Sequence, residues 1–154
     1  MNIVDKIKGS IHDATGMPVY YDNTATLNVV ADNAQYPCAF FQLLTTGQLD
    51  IEGGQMKERV AAEVYFVELG SFDYDGSEEE VIIDRCKQRA LAWLRKSDIM
   101  GAVSVLSVER TRRVYSDGIG GNGYTFDAIV CGYGLVCTVK EMEGYSGCEE
   151  DAPW

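Results

Sequence analysis

His12 is the chain's one histidine. Any Ser-His-Asp triad, Cys-His pair or imidazole-containing metal cluster would have to use it. No G-x-S-x-G nucleophile elbow accompanies it, and it falls on a short amphipathic stretch, where a surface position is the expected one. Gly118, Gly120 and Gly123 spell G-x-G-x-x-G. That fingerprint binds a dinucleotide only between a strand and a helix, whose N-terminus receives the phosphate. Here Tyr124-Thr-Phe-Asp-Ala-Ile-Val follows, which reads as a strand, so the glycines fit a hairpin tip. Asp73, Asp75 and Glu78 resemble the start of a calcium loop. However, the glycine falls at position four, and position twelve is Asp84, inside a predicted helix. Arg110, Arg112 and Arg113 form a basic cluster at a strand end. In an acidic chain it suits salt bridges, within the fold or to a neighbouring subunit, better than nucleic-acid readout. Carboxylates are abundant but no motif pairs them. The sequence therefore nominates no catalytic, cofactor-binding or metal-ligating residue, and a non-enzymatic role without a cofactor is the expectation.

The 154 residues suit one domain, long enough to bury a core without staples. Twenty-four acidic residues against 13 basic ones give a net charge of −11, which repels nucleic acid and anionic membrane at long range. Cys38, Cys86, Cys131, Cys137 and Cys148 include no C-x-x-C pair and suggest buried, reduced thiols. Cys131 and Cys137 face the same way on a predicted strand but lie about 20 Å apart at about 3.3 Å per residue, too far for a disulfide. No stretch reaches the roughly 18 apolar residues of a membrane span, and the first residues lack the apolar core of a signal peptide. Assembly in the cytoplasm, without membrane contact, is expected.

These candidates need a frame. Ile3, Ile7 and Ile11 recur at helical spacing, predicting a helix over 3–14 that stops at Gly16. Pro18 to Asp22 reads as a short strand and 23–35 as a polar loop. Residues 36–45, apolar on both faces, predict a central strand, and 57–69 a second one, with Val60, Ala62, Val64 and Phe66 facing the core. Gly47 and Gly53-Gly54 bracket Leu49, Asp50 and Ile51, so 46–56 reads as a long loop. Ser77 with Glu80 is a capping box that opens a helix ending near Ser97. Two strands, 103–115 and 124–139, flank the glycine-rich segment, with Gly132 and Gly134 marking a bend or bulge. The expected fold is α+β: an antiparallel sheet of two long hairpins with two helices packed on one face. Residues 1–140 form the single domain, and 141–154 form an acidic, mobile tail.

This order carries short phrases that resemble a known family. Gly16-Met-Pro-Val-Tyr-Tyr21 follows the first helix. A hairpin runs through Phe40–Leu44 and Val60–Val67, a capped helix ends near Trp93-Leu94-Arg95, and the last hairpin closes in Gly134-Leu-Val-Cys-Thr-Val139. The pattern is similar to the tail terminator, or tail-completion, proteins of tailed bacteriophages over roughly residues 3–141. Residues 23–35 and the Cys148-bearing tail depart from it. The resemblance implies a virion protein assembled in the host cytoplasm, forming a hexameric or larger ring at the head–tail junction. It also implies contacts with other neck and tail proteins, and DNA that passes through the lumen without sequence-specific binding. The loops 46–56 and 116–123 would then be subunit-contact or lumen elements, notably Gln48, Leu49, Asp50, Ile51, Glu52, Ile119 and Asn122, with Arg110, Arg112 and Arg113 in inter-subunit salt bridges. A neck or connector ring subunit of related fold, or a small partner-binding module outside any virion, fits the same residues.

Overall fold

The structure, a computed structural model, describes residues 2–21, 35–70, 76–100, 102–117, 129–142 and 145–146. Its elements in chain order are α1 (Ile3–Thr15), β1 (Val19–Tyr21), β2 (Cys38–Glu52), β3 (Gln55–Leu69), α2 (Gly76–Met100), β4 (Val103–Asp117), β5 (Ile129–Glu141) and β6 (Tyr145–Ser146). The class is α+β, as expected.

Each helix has a local cause. Asn2 caps α1 by accepting the Asp5 amide at 2.9 Å. At the other end Gly16 adopts φ 72° and its amide returns to the His12 carbonyl, the left-handed ending that glycine permits. The apolar stripe Ile3, Ile7, Ile11 and Ala14 is buried. The second helix starts at Gly76 and runs past Ser97 to Met100. The buried Ser97 hydroxyl donates to the Leu94 carbonyl at 3.2 Å, so this polar residue is satisfied inside the helix and does not end it.

The sheet order is β1-β2-β3-β5-β4, with β6 pairing β3 beside the end of β5. All pairs are antiparallel except β1 with β2, which is parallel. One face meets the helices: Ala39 and Phe41 on β2, Ala62, Val64 and Phe66 on β3, and Cys131, Leu135, Cys137 and Val139 on β5 share a cluster with the α1 stripe and with Ile83, Cys86 and Trp93 of α2. Trp93 is fully buried, 6.3 Å from the Phe66 ring between centroids, and donates to the Ser10 hydroxyl of α1 at 3.0 Å. A buried aromatic of this size is worth several kcal/mol (about 3–5 on truncation to alanine). The opposite face holds a smaller cluster of Cys38, Phe40, Tyr65, Val67, Val114 and Val130. This two-faced burial explains why 36–45 read as apolar on both sides.

The strand bounds differ from the sequence expectation in three places. Residues 46–56 are not a loop: β2 runs on to Glu52 and β3 starts at Gln55, paired directly opposite it. Only Gly53 and Gly54 turn, both at positive φ (57° and 82°), the type I′ connection that matches strand twist. Gly132 and Gly134 mark no bulge. The β3–β5 register runs unbroken past both, because they let β3 approach: a Cβ on Gly132 would lie 2.0 Å from the Phe66 carbonyl oxygen. The irregularities fall instead between Leu43 and Gly47 on β2 and at Leu106 and Glu109 on β4. Finally, three residues of the expected tail lie in strands. Glu141 closes β5 and is buried, and Tyr145–Ser146 pair with Gln55–Met56. Residues 147–154 lie outside the described residues.

Candidate interaction surface

Beyond Gly47 the β2–β3 ribbon outruns the helices. On the helix-facing side of the sheet it carries Leu49 and Ile51, which are 58% and 75% exposed. Alternation puts Gln48, Asp50 and Glu52 on the opposite side. There Asp50 takes the Arg59 guanidinium at 2.8 Å and Lys140 of β5 at 3.8 Å. Glu52 pairs with Lys140 and, at 3.7 Å, with Lys57. Removal from water works to raise the Asp50 carboxyl, but the Arg59 hydrogen bond and the two cations outweigh it and hold it below its ordinary value. The Lys140 hydrogen bond does the same for Glu52. The five charges stiffen a ribbon that has little apolar support of its own.

The root of the ribbon is fastened from inside. Lys6 of α1 reaches Glu141 of β5 at 2.6 Å, their side chains 10% and 3% exposed. The second Glu141 oxygen accepts the Glu58 amide of β3 at 2.8 Å. Burial pushes the Glu58 carboxyl up, and the nearby Glu141 charge adds to it. Sequence reasoning missed this triad. The signal was Lys6 itself, a charge within the apolar stripe, on the face shared by Ile3, Ile7 and Ile11.

The far edge of the sheet is β4. Leu106 and Val108 are exposed there beside its two bulges. Regular pairing resumes at Arg110, and Arg110 and Arg112 lie over Val136 and Gly134, on the face away from the helices. Arg113 falls on the helix side and binds Glu80 of α2 in the same chain, so this arginine has an internal partner. A cleft of about 400 Å³ between α2 and β4 is lined by Glu80, Asp84, Lys87, Thr111 and Arg113 and reaches Arg112 at the strand edge, an open, mixed-charge groove. Of the residues named from sequence, Gln48 to Glu52 therefore share one ribbon and the three arginines share the opposite edge. Ile119, Asn122 and the glycines Gly118, Gly120 and Gly123 lie outside the described residues, as do Asp73, Asp75 and Cys148.

His12 and four of the cysteines fall among the described residues. His12 is exposed, its Nδ1 at 2.9 Å from the Met17 carbonyl. Cys38, Cys86, Cys131 and Cys137 are buried and unbridged. Burial pushes the thiols of Cys38, Cys131 and Cys137 up to about 12 and that of Cys86 to about 11, so they stay protonated at neutral pH and are poor nucleophiles. Among the described residues no group of three or more His, Cys, Asp or Glu is placed to hold a metal ion, and no helix is long and apolar enough to cross a membrane. No protein-family model matches the chain, and no curated protein matches it.

Proposed function

We propose that the chain is a structural virion protein of a tailed bacteriophage, a ring-forming tail terminator or completion subunit at the head–tail junction, and not an enzyme. In this reading the frame is an antiparallel sheet of two long hairpins with α1 and α2 on one face, and the ring is a hexamer or larger. DNA passes through its lumen without sequence-specific contact, and other neck and tail proteins meet its two rims. The observation that carries the reading is the β2–β3 ribbon. Its two large aliphatic side chains, Leu49 and Ile51, face water beyond the core, and such exposure on a strand edge favours a partner. Symmetric closure is the usual outcome when one chain supplies both sides. The acidic balance of −11 fits a bore that phosphate does not adhere to.

Light scattering after gel filtration, over a range of protein concentrations, tests this first. A closed species of six or more 17.0 kDa chains, seen as rings by electron microscopy, is the expected result. A strict monomer that neither binds nor caps purified tail tubes would refute it.

A further inference from the structure

We infer that the ring grows by sheet continuation between copies: the outer edge of β2, Gly47–Glu52, of one chain pairs antiparallel with the outer edge of β4, near Val108–Arg112, of the next. The inference deepens the ring reading and rests on it for closure. Among the described residues, β1 covers the outer edge of β2 only from Ala39 to Phe41, and β4 pairs with β5 alone. Among the described residues both outer edges therefore present backbone donors and acceptors, a template for another strand.

Direction favours the match. Successive antiparallel pairs β2–β3, β3–β5 and β5–β4 leave β2 and β4 running oppositely. A copy added in the same sheet orientation thus meets β4 with an antiparallel β2, and its helices stay on the same side.

The side chains favour it on both faces. On the helix side the ribbon offers Leu49 and Ile51, while the β4 edge offers the exposed Val108, whose partner Cys137 lies in the helix-facing core. The bulge residue Leu106, also exposed, lies next to it. On the other side the β2 edge offers Asp50 and Glu52, which also bind Arg59, Lys140 and Lys57 of their own chain, and the β4 edge offers Arg110 and Arg112. Apolar meets apolar and acid meets base without turning either strand over. A two-fold pairing of one edge with itself would instead set acid against acid or arginine against arginine, which is unfavourable for directly opposed side chains. The two patches differ and sit on opposite edges, which makes the contact heterologous, the type that builds rings or open filaments.

The test combines a covalent trap with charge reversal in the full chain. Ile51→Cys and Val108→Cys are made separately, then mixed and oxidised with copper-phenanthroline, with the unsubstituted chain as control for the native thiols. A disulfide-linked dimer that forms in the mixture, well above either variant alone, is expected. Linkage of Ile51→Cys to itself at the level of the mixture would overturn the inference in favour of edge-to-itself pairing. No linkage above the control at any concentration would overturn it outright. In parallel, Arg110→Glu/Arg112→Glu is expected to reduce the assembled mass to that of the 17.0 kDa protomer while circular dichroism stays unchanged. Closed rings that persist in this variant and lack the cross-link would sink the edge pairing and leave the ring reading intact. Cross-linked ladders without any closed species would do the reverse.

Discussion

Replacing Lys6 by Met removes the cation from the most deeply buried ion pair among the described residues and keeps a side chain of similar length against the α1 stripe. Glu141 would then sit at 3% exposure with the Glu58 amide as its remaining partner among the described residues. Stranding one half of a buried pair costs about 3–5 kcal/mol, a large share of the roughly 5–15 kcal/mol that holds a domain folded. With a urea slope of about 2 kcal/mol per molar, the unfolding midpoint should fall by about 2 M, read from the fluorescence of Trp93 as it leaves its site against Phe66. The companion variant, Lys6→Met/Glu141→Gln, removes both charges and keeps an oxygen for the Glu58 amide. It should recover most of the loss, since well-packed neutral replacements of a buried pair are often near neutral. The function-linked readout is hydrogen exchange. Because Glu141 ties α1 and β5 to β3 at the root of the ribbon, the amides of residues 55–60 should lose protection in the single variant more than those of 62–67. A loss under about 1 kcal/mol, or a double variant no more stable than the single one, would refute the assignment of this pair as the fastening of the ribbon.

Two further outcomes are expected. Gly132→Ala places a Cβ against the Phe66 carbonyl, which cannot move without breaking the β3–β5 ladder, whereas at Gly134 the added Cβ meets the Tyr65 ring at 2.8 Å, which can turn. Thermal unfolding should show Gly132→Ala at or beyond the upper end of the about 1–3 kcal/mol typical of overpacking and Gly134→Ala well below it; equal losses would contradict the geometry. Glu68→Gln should matter only above acid pH. The Arg85 hydrogen bond, then that of Arg89, outweighs burial and holds the Glu68 carboxyl below its ordinary value. Its contribution, about 1 kcal/mol for a partly exposed pair, is therefore present above the unfolded carboxylate value near ~4.3 and is lost as pH falls through the lower folded value. Denaturation of both proteins from pH 7 to pH 3 checks this: the curves should converge towards the acid end, and a gap that stays constant would exclude the ion pair as its source.

Much of the frame was legible because local rules and the global fold agree. The α1 stripe ends at a glycine that adopts the left-handed conformation, and the apolar runs of β2 and β3 fall on strands buried on both faces. The errors came where one residue type has two meanings. Gly47 reads as a breaker, yet it lies within β2, 3.2 Å in Cβ terms from the Arg59 carbonyl, where the register shifts after Leu43. Leu49 and Ile51 alternating with Gln48, Asp50 and Glu52 had period two and were an amphipathic strand in plain sight; the flanking glycines masked it. The order of strands lay beyond sequence reasoning. That β5, last of the long strands in the chain, enters between β3 and β4 depends on pairings far apart in sequence, including the backbone approach at Gly132. The surface was half legible. Two groups of residues stood out by charge and loop-like composition, but that they occupy opposite edges of one sheet follows only from the topology.

The bulges bear on how such a chain stays soluble before it meets a partner. An open edge of regular strand invites indiscriminate pairing, and bulges and charges are the usual protections. Here the irregularities do not cover the edges evenly. On β2 the register breaks between Leu43 and Gly47, and on β4 at Leu106 and Glu109. Regular stretches remain at Gly47–Glu52 and from Arg110 to Asp117. On the face away from the helices the first of these carries Asp50 and Glu52 and the second Arg110 and Arg112, so on that face each strand edge carries side-chain charge of one sign. Charges of one sign repel a second copy of the same edge and attract the other edge, which turns a general protection into a choice of partner. Raising the ionic strength should therefore weaken the discrimination more than the contact: the Ile51→Cys and Val108→Cys variants, each oxidised alone at about 1 M salt, where charges more than about 3 Å apart are largely screened, should begin to link to themselves. Self-linkage that does not change with salt would mean that shape, not charge, selects the edge.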